Sequence, residues 1–420
     1  MTIPIVEHTL DNGLRVVVSE DHIAPIVAVN VWYDVGSRHE QPGLTGLAHL
    51  FEHLMFEGSA NVGSIEHFSL LQEVGASLNG TTWFDRTNYF ETVPVHAFEL
   101  ALWLEADRMG TLLAALTQES LDNQRDVVKN ERRQSYDNQP YGTSWENLFE
   151  MLYPEGHPYH HLPIGSMADL DAASLDDCRA FFSTHYAPDN AVLGIAGDVT
   201  PDGAIEAVER YFGVIPPGPG APDAPDGTIG PLDEEVRRVL DEEVPNEAVY
   251  QQYRCDPEGT PGADAAQVAL HVLAGGSASR LHQRLVRDEE LAISLDGGHQ
   301  GTVGGTGPGV LVVHARSGAS LDAIEAIIDE ELEALGIDGP GDEEVARAKA
   351  SLERSWLEHT DAVMGRADEL CRHATLFGDA ERINTELDRL HAVTGEAVQD
   401  IAARHLVPTN RAVLRYEVAA

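Results

Sequence analysis

The spacing of apolar positions switches repeatedly between two residues and about three and a half. That alternation predicts short strands interleaved with amphipathic helices. Residues 3–19 read as two strands around the turn signal Asp11-Asn12-Gly13. Residues 26–35, IVAVNVWYDV, read as a further strand, and 37–46 as a loop leading into the apolar stretch LAHLFEHLMFEGS. Residues 64–74 read as a helix with Ser64 as its N-cap. Residues 76–94, rich in Thr and aromatic side chains, read as two strands. Helical periodicity resumes at 95–109 and 118–139, and 140–165 is a loop-rich stretch carrying Pro140, Pro154, Pro158 and Pro163. A helix at 169–186, a strand at 190–199 and a helix at 201–212 follow.

The composition then shifts. Residues 215–235, IPPGPGAPDAPDGTIGPLDEE, hold too much Pro, Gly and Asp to pack a core and read as an interdomain linker. Beyond it the order of elements recurs. His185, Pro188 and Asn190 map onto His405, Pro408 and Asn410 at an offset of 220, and FEGS at 56–59 resembles AGGS at 274–277 at an offset of 218. The chain therefore reads as a duplication, with an N-terminal domain at 1–214, the linker at 215–235 and a C-terminal domain of the same fold at 236–420. Regular βαβ alternation is missing. The expected fold class is α+β, two homologous halves each with an antiparallel sheet and helices packed on one face.

With 420 residues, two or three domains with proper cores are affordable on length alone. The net charge of −43, from 70 acidic and 27 basic residues, argues against nucleic acid or an anionic membrane as partner. It favours the approach of basic peptides, although an acidic surface also serves solubility alone. Cys178, Cys255 and Cys371 are too far apart in sequence to form a disulfide framework or a C-x-x-C metal site. No run of 18 apolar residues predicts a membrane span. The chain opens on strand-like sequence, which makes the cytoplasm the expected compartment; the periplasm or exterior would follow if a signal peptide had been removed.

Within the apolar helix, His49, Glu52 and His53 form H-x-x-E-H, the inverse of the H-E-x-x-H metallopeptidase motif. At about 100° per residue these three share one face. Two imidazoles there can bind one metal ion, and the carboxylate between them can reach a water on it. Ionisable groups in such an apolar helix are costly to bury unless they are paired or bind a metal. Shifted by 218, the set becomes Gln267, Leu270 and His271, so the second half carries the helix without the motif.

A catalytic zinc site needs a third protein ligand. On spacing alone Glu119, Asp126 and Glu131 all qualify. The stretch Gln124-Arg125-Asp126-Val127-Val128-Lys129-Asn130-Glu131 resembles the E-R-D-V-V-x-x-E of the pitrilysin-type metallopeptidases, which include mitochondrial processing peptidase and insulin-degrading enzyme. Its first Glu is Gln124 here. The resemblance implies a processing-peptidase-like fold, Zn²⁺ held by His49, His53 and Glu131, and Glu52 as the general base of peptide hydrolysis. It extends to Asn79, Thr82, Asp85, Thr87 and Tyr89, with Gly80 where relatives often have Ala. In relatives this strand is a sheet edge that takes substrate as an added β-strand. Asn79 is the expected substrate contact, whereas Thr82, Asp85 and Thr87 read as satisfying local backbone groups.

His157, His160 and His161 resemble a metal cluster but lie in a proline-bounded loop, so a ligand role is not expected for them. The family's second half often carries an Arg and, seven residues on, a Tyr that contact substrate. Anchored on Leu291-Ala292, those positions are Val286 and Ile293, with Arg287 one place off. Half-length members work as dimers, some of them homodimers. The missing pair favours a heterodimer in which a homologous subunit supplies the Arg and Tyr. The expected function is therefore a zinc endopeptidase acting on peptides or unfolded segments inside a closed two-chain chamber. The alternatives are a non-catalytic core subunit of a larger assembly and a metal-dependent hydrolase of another bond.

Overall fold

The computed structural model of the chain describes residues 2–419. The first half contributes strands β1 (Val6–Thr9), β2 (Arg15–Glu20), β3 (Ile26–Tyr33), β4 (Ser77–Thr82), β5 (Thr87–Pro94) and β6 (Ala191–Gly197). Its helices are α1 (Leu47–Leu54), α2 (Glu66–Glu73), α3 (Phe98–Ala115), α4 (Gln118–Arg132), α5 (Ser144–Leu152), α6 (Met167–Ala172), α7 (Leu175–His185) and α8 (Pro201–Phe212). The second half contributes β7 (Val236–Glu242), β8 (Ala248–Cys255), β9 (Ala292–His299), β10 (Gly307–Ala315) and β11 (Arg411–Val418). Its helices are α9 (Pro261–Ala274), α10 (Leu321–Asp338), α11 (Asp342–Asp361), α12 (Val363–Phe377), α13 (Glu386–Ala392) and α14 (Gly395–His405).

The two sheets run β1-β2-β6-β3-β5-β4 and β7-β11-β8-β10-β9. Leaving β1 aside, the second order repeats the first strand for strand, so the duplication read from a few matched residues extends to the whole topology. Pairing is antiparallel except for one parallel contact in each sheet, β2 with β6 and β7 with β11. Both sheets end on a strand paired on one side only, β4 in the first and β9 in the second.

A single cut at the linker does not describe how the chain packs. One compact unit holds the residues up to Arg132 together with Pro163–Pro225 and Trp356–Glu386; the other holds Arg133–Leu162, Asp226–Ser355 and the residues from Leu387 on. The break in the Pro/Gly-rich stretch falls at Pro225, and each half of the chain gives one helical segment to the other's sheet. The cause is visible in the strands. β3 and β6 are almost wholly apolar, and they and β8 are buried along almost their whole length, so both sheet faces need cover. α12 provides it in the first unit, with Leu370, Cys371 and Ala374 against Val17, Trp32 and Val192. α5 does so in the second, with Leu148 against Tyr250, Leu414 and Tyr416. The helices therefore lie on both faces of each sheet, one more face than the patterning predicts.

Two local expectations also shift. The helix at 64–74 begins at Glu66, and its N-cap is Ile65 at φ 68°, not Ser64, whose hydroxyl donates to Glu57. The long helix from 118 stays α-helical to Arg132 and continues as one π-helical turn over Arg133–Asp137.

Candidate metal centre

α1 is short, and its orientation is set from both ends. Its N-cap is Gly46 at φ 90°, a left-handed conformation that suits glycine. The Glu40 carboxylate accepts from Gly46 N (2.9 Å) and Ala48 N (2.7 Å), satisfying two of the unpaired amides and placing negative charge at the positive helix end. Leu47, Ala48, Leu50, Phe51 and Leu54 are buried. Phe51 packs among Phe181, Phe182 and Tyr186, and the Tyr89 hydroxyl donates to its carbonyl at 3.3 Å. With the apolar face held, His49, Glu52 and His53 project from the remaining one.

α4 lies beside α1. Its buried Leu121 and Val128 face inward, and the Arg125 guanidinium donates to the carbonyls of Leu170 and Ala173, at 2.7 Å each. Glu131 sits in its last turn. His49 Nε2 lies 3.7 Å from Glu131 Oε1, and His53 Nε2 lies 3.2 Å from Glu131 Oε2. Among the described residues this is the one group of three or more His, Cys, Asp or Glu whose donor atoms all lie within 4.8 Å of one another. Of the three carboxylates that spacing allowed, Glu119 and Asp126 are exposed on α4, and Glu131 alone joins the histidines.

The donor set fits a zinc ion. Zinc–ligand distances of about 2.0–2.2 Å put the donors of a tetrahedral site roughly 3.3–3.6 Å apart. Burial pushes His49 down to about 4, against the opposing pull of Glu131, so its imidazole is neutral at neutral pH and free to act as a ligand. A hydrogen bond with His53, the largest cause, lowers the Glu131 pKa against the opposing effect of burial and so favours the ionised carboxylate.

Glu52 does not join this set. Its Oε2 accepts from Thr82 Oγ1 on β4 at 2.7 Å. Burial raises its pKa, and the Thr82 hydrogen bond works in the opposite direction. Gly80 leaves room for it: a Cβ there would stand 3.1 Å from Glu52 Cγ and 3.1 Å from the Tyr89 ring. Thr82 is thus the residue the sequence reading undervalued. It belongs to the Asn-x-x-Thr pattern, but nothing local says that its hydroxyl meets α1. Asp85 and Thr87 do serve their surroundings, Asp85 pairing with Arg38 at 3.0 Å and Thr87 donating to Val35 O at 2.8 Å. Asn79 is exposed on β4. Strand alternation puts its side chain on the face opposite Gly80 and Thr82, so towards the α1 side it presents edge backbone.

The other histidine cluster has ordinary partners. His157 Nε2 bonds to Gly227 O at 3.1 Å, and His160 Nδ1 bonds to Tyr153 O at 2.8 Å. Gln124, at the place of the family's first Glu, donates to Glu57. In the second unit Val286 packs against the core, and Ile293 is exposed on the edge strand β9.

A duplicated mixed sheet with an H-x-x-E-H helix in one copy only defines a class, the pitrilysin-type metallopeptidase fold. Comparison with known proteins agrees. The family model described as Insulinase (Peptidase family M16) matches residues 15–160, and that described as Peptidase M16 inactive domain matches residues 172–352. The chain belongs to peptidase family M16. Zinc protease PqqE of Helicobacter pylori is 37% identical over 205 residues, 49% of this chain and 46% of that protein, so the chain spans about half of that relative. Uncharacterized zinc protease YmxG of Bacillus subtilis is 25% identical over 399 residues, 95% of each chain. The crystal structure of a protease from Helicobacter pylori superposes with a TM-score of 0.92 at 24% identity, covering 99% of this chain and 100% of that one, a likeness of fold.

Proposed function

We propose that the chain is a zinc-dependent endopeptidase, with His49, His53 and Glu131 holding the ion and Glu52 acting as general base and acid. The observation that carries this reading is the convergence of two imidazoles and a carboxylate beside a separate, hydrogen-bonded glutamate. Zinc bound there would polarise the scissile carbonyl and bring the pKa of a water to about 7. Glu52 takes a proton from the attacking water and delivers it to the leaving amine. Its raised pKa moves it towards the operating pH, where one carboxyl can do both. Thr82 holds the carboxylate in place. β4, unpaired along one side, lines up an extended peptide segment through backbone hydrogen bonds, with Asn79 among the contacts.

Two homologous chains enclosing a chamber suit unfolded segments, and Val286 and Ile293 at the Arg and Tyr positions favour a second, different subunit that carries that pair. A second reading, a non-catalytic subunit, draws on the match of residues 172–352 to a domain described as inactive.

The test is cleavage of a mixed peptide library by the purified chain, with Glu52→Gln as control and zinc quantified in both. One zinc per chain in both proteins, and turnover that falls by at least about 100-fold in the variant, is the expected result. Zinc without cleavage in either protein would call for the partner subunit. Neither zinc nor cleavage would leave the non-catalytic reading.

A further inference from the structure

The face of the first sheet that carries α12, opposite Glu52, holds a pocket. Its volume is about 510 Å³, within the range of small-ligand sites. Thr81, Asn88 and Phe90 of the β4–β5 hairpin, Ala362 and Met364 line it, together with three charged groups, Arg86, Glu358 and Asp368.

Arg86 and Asp368 are held apart. Arg86 Nη1 donates to Thr81 O (2.9 Å), Thr81 Oγ1 (2.5 Å) and Asn88 Oδ1 (3.1 Å). No carboxylate lies within 4.0 Å of Arg86 among the described residues, and its Nε and Nη2 make no hydrogen bond there. In a chain with 70 acidic and 27 basic residues, where most arginines find a carboxylate, that is an exception. Asp368 shows the complementary feature. Its Oδ1 accepts from Asn30 Nδ2 (2.9 Å), Trp32 Nε1 (2.9 Å) and Asn88 Nδ2 (3.2 Å), while Oδ2 has no donor among the described residues. The Asn88 amide stands between the two charges, its oxygen turned to Arg86 and its nitrogen to Asp368.

Arg86 also lies over the Trp32 ring at 5.2 Å, and with no direct ion pair between them the guanidinium and the Asp368 carboxylate offer opposite charges to one ligand. A guanidinium with two free nitrogens matches a carboxylate, and a free carboxylate oxygen matches an ammonium group. We propose that this pocket binds a small α-amino-acid zwitterion, its carboxylate on Arg86 and its ammonium on Asp368, with Phe90 and Met364 beside the side chain. This goes beyond the peptidase reading and does not depend on it.

The test is calorimetric titration of the zinc-loaded chain with leucine and with glycine. N-acetyl-leucine and leucinamide, which each lack one charge, serve as controls. Saturable one-site binding is expected, weaker by roughly tenfold or more for either control. Asp368→Asn and Arg86→Met should each lose it by a similar factor. Ala362→Trp, which fills the pocket without touching the hydrogen bonds, keeps the test valid if the charge variants fail to fold. Because amino acids also chelate zinc, Glu131→Gln is included and should bind leucine as wild type does. Binding that disappears in Glu131→Gln but survives Ala362→Trp would place the ligand at the metal and overturn the proposal. So would the absence of binding by both amino acids at millimolar concentration.

Discussion

α1 and α9 occupy the same place in the two repeats, each against the edge strand of its own sheet, and they solve opposite problems. α9 has 14 residues, starts with a Thr260 side-chain cap and Pro261, and buries nine of its residues. At the positions of His49, Glu52 and His53 it carries Gln267, Leu270 and His271. Gln267 Oε1 accepts from His299 N on β9 at 2.8 Å, a structural tie between helix and edge strand. Leu270 is fully buried in the core. The same offset carries Glu131 to Lys349, whose ammonium donates to His391 O. α1 has 8 residues, and its tie to the edge strand runs through Glu52 and Thr82. One topology thus supports either an apolar contact or a polar site at its helix–edge junction. The polar version needs groups that an apolar core would penalise, held by partners from three separate elements.

The largest effect should come from breaking the three-donor set. Glu131→Gln is expected to lower zinc affinity by more than about 100-fold, read by competition with a chromophoric chelator, and to abolish cleavage. Asp126→Asn, exposed on the same helix, should change neither. If both variants behave alike, Glu131 is not a ligand. In the apolar copy, Leu270→Ala should destabilise the second unit by about 2–5 kcal/mol in denaturant unfolding and leave bound zinc unchanged. A comparable loss of zinc would mean that the two junctions are coupled.

A smaller effect separates placement of Glu52 from its presence. Thr82→Val removes a hydrogen bond to a charged group, worth about 1.5–3 kcal/mol, and should lower kcat by roughly 10–100-fold with zinc retained. Thr82→Ser should restore most of that rate. Equal losses in Val and Ser would show that β4 merely packs there.

A last test is the pH dependence of stability. Burial pushes His39 down to about 3, helped by Arg38, and pushes His185 down to about 4, from the ordinary 6.5. The unfolded chain binds these protons first. The stability they contribute is complete above pH 6.5 and is lost as pH falls towards 4, at up to about 1.4 kcal/mol per pH unit for each group. His185→Asn should flatten the slope of unfolding free energy against pH by one group's share. An unchanged slope would remove His185 from the account.

Much of this was legible beforehand because it is local. H-x-x-E-H at helical spacing puts three groups on one face whatever the rest of the chain does, and the resemblance around Val127-Val128 pointed to Glu131 over its neighbours. The repeat was visible in a few matched residues. Other features lay beyond any local pattern. Thr82 sits 30 positions from Glu52 and meets it only because β4 is laid along α1. The exchange of α5 and α12 between units depends on which buried strand face lacks a cover, and period-two patterning does not say which helix will supply it. The Arg86–Asn88–Asp368 arrangement joins a hairpin to a helix about 280 residues further on.

By itself, then, the sequence determined the chemistry: which groups share the polar face of α1, that a second copy lacks them, and that the chain is acidic overall. Tertiary structure decided which hydroxyl steadies Glu52 and which helices cover each sheet. The physical reason is that side-chain periodicity reports direction along one element, whereas pairing between elements is chosen by the burial of both sheet faces at once, a property of the assembled chain.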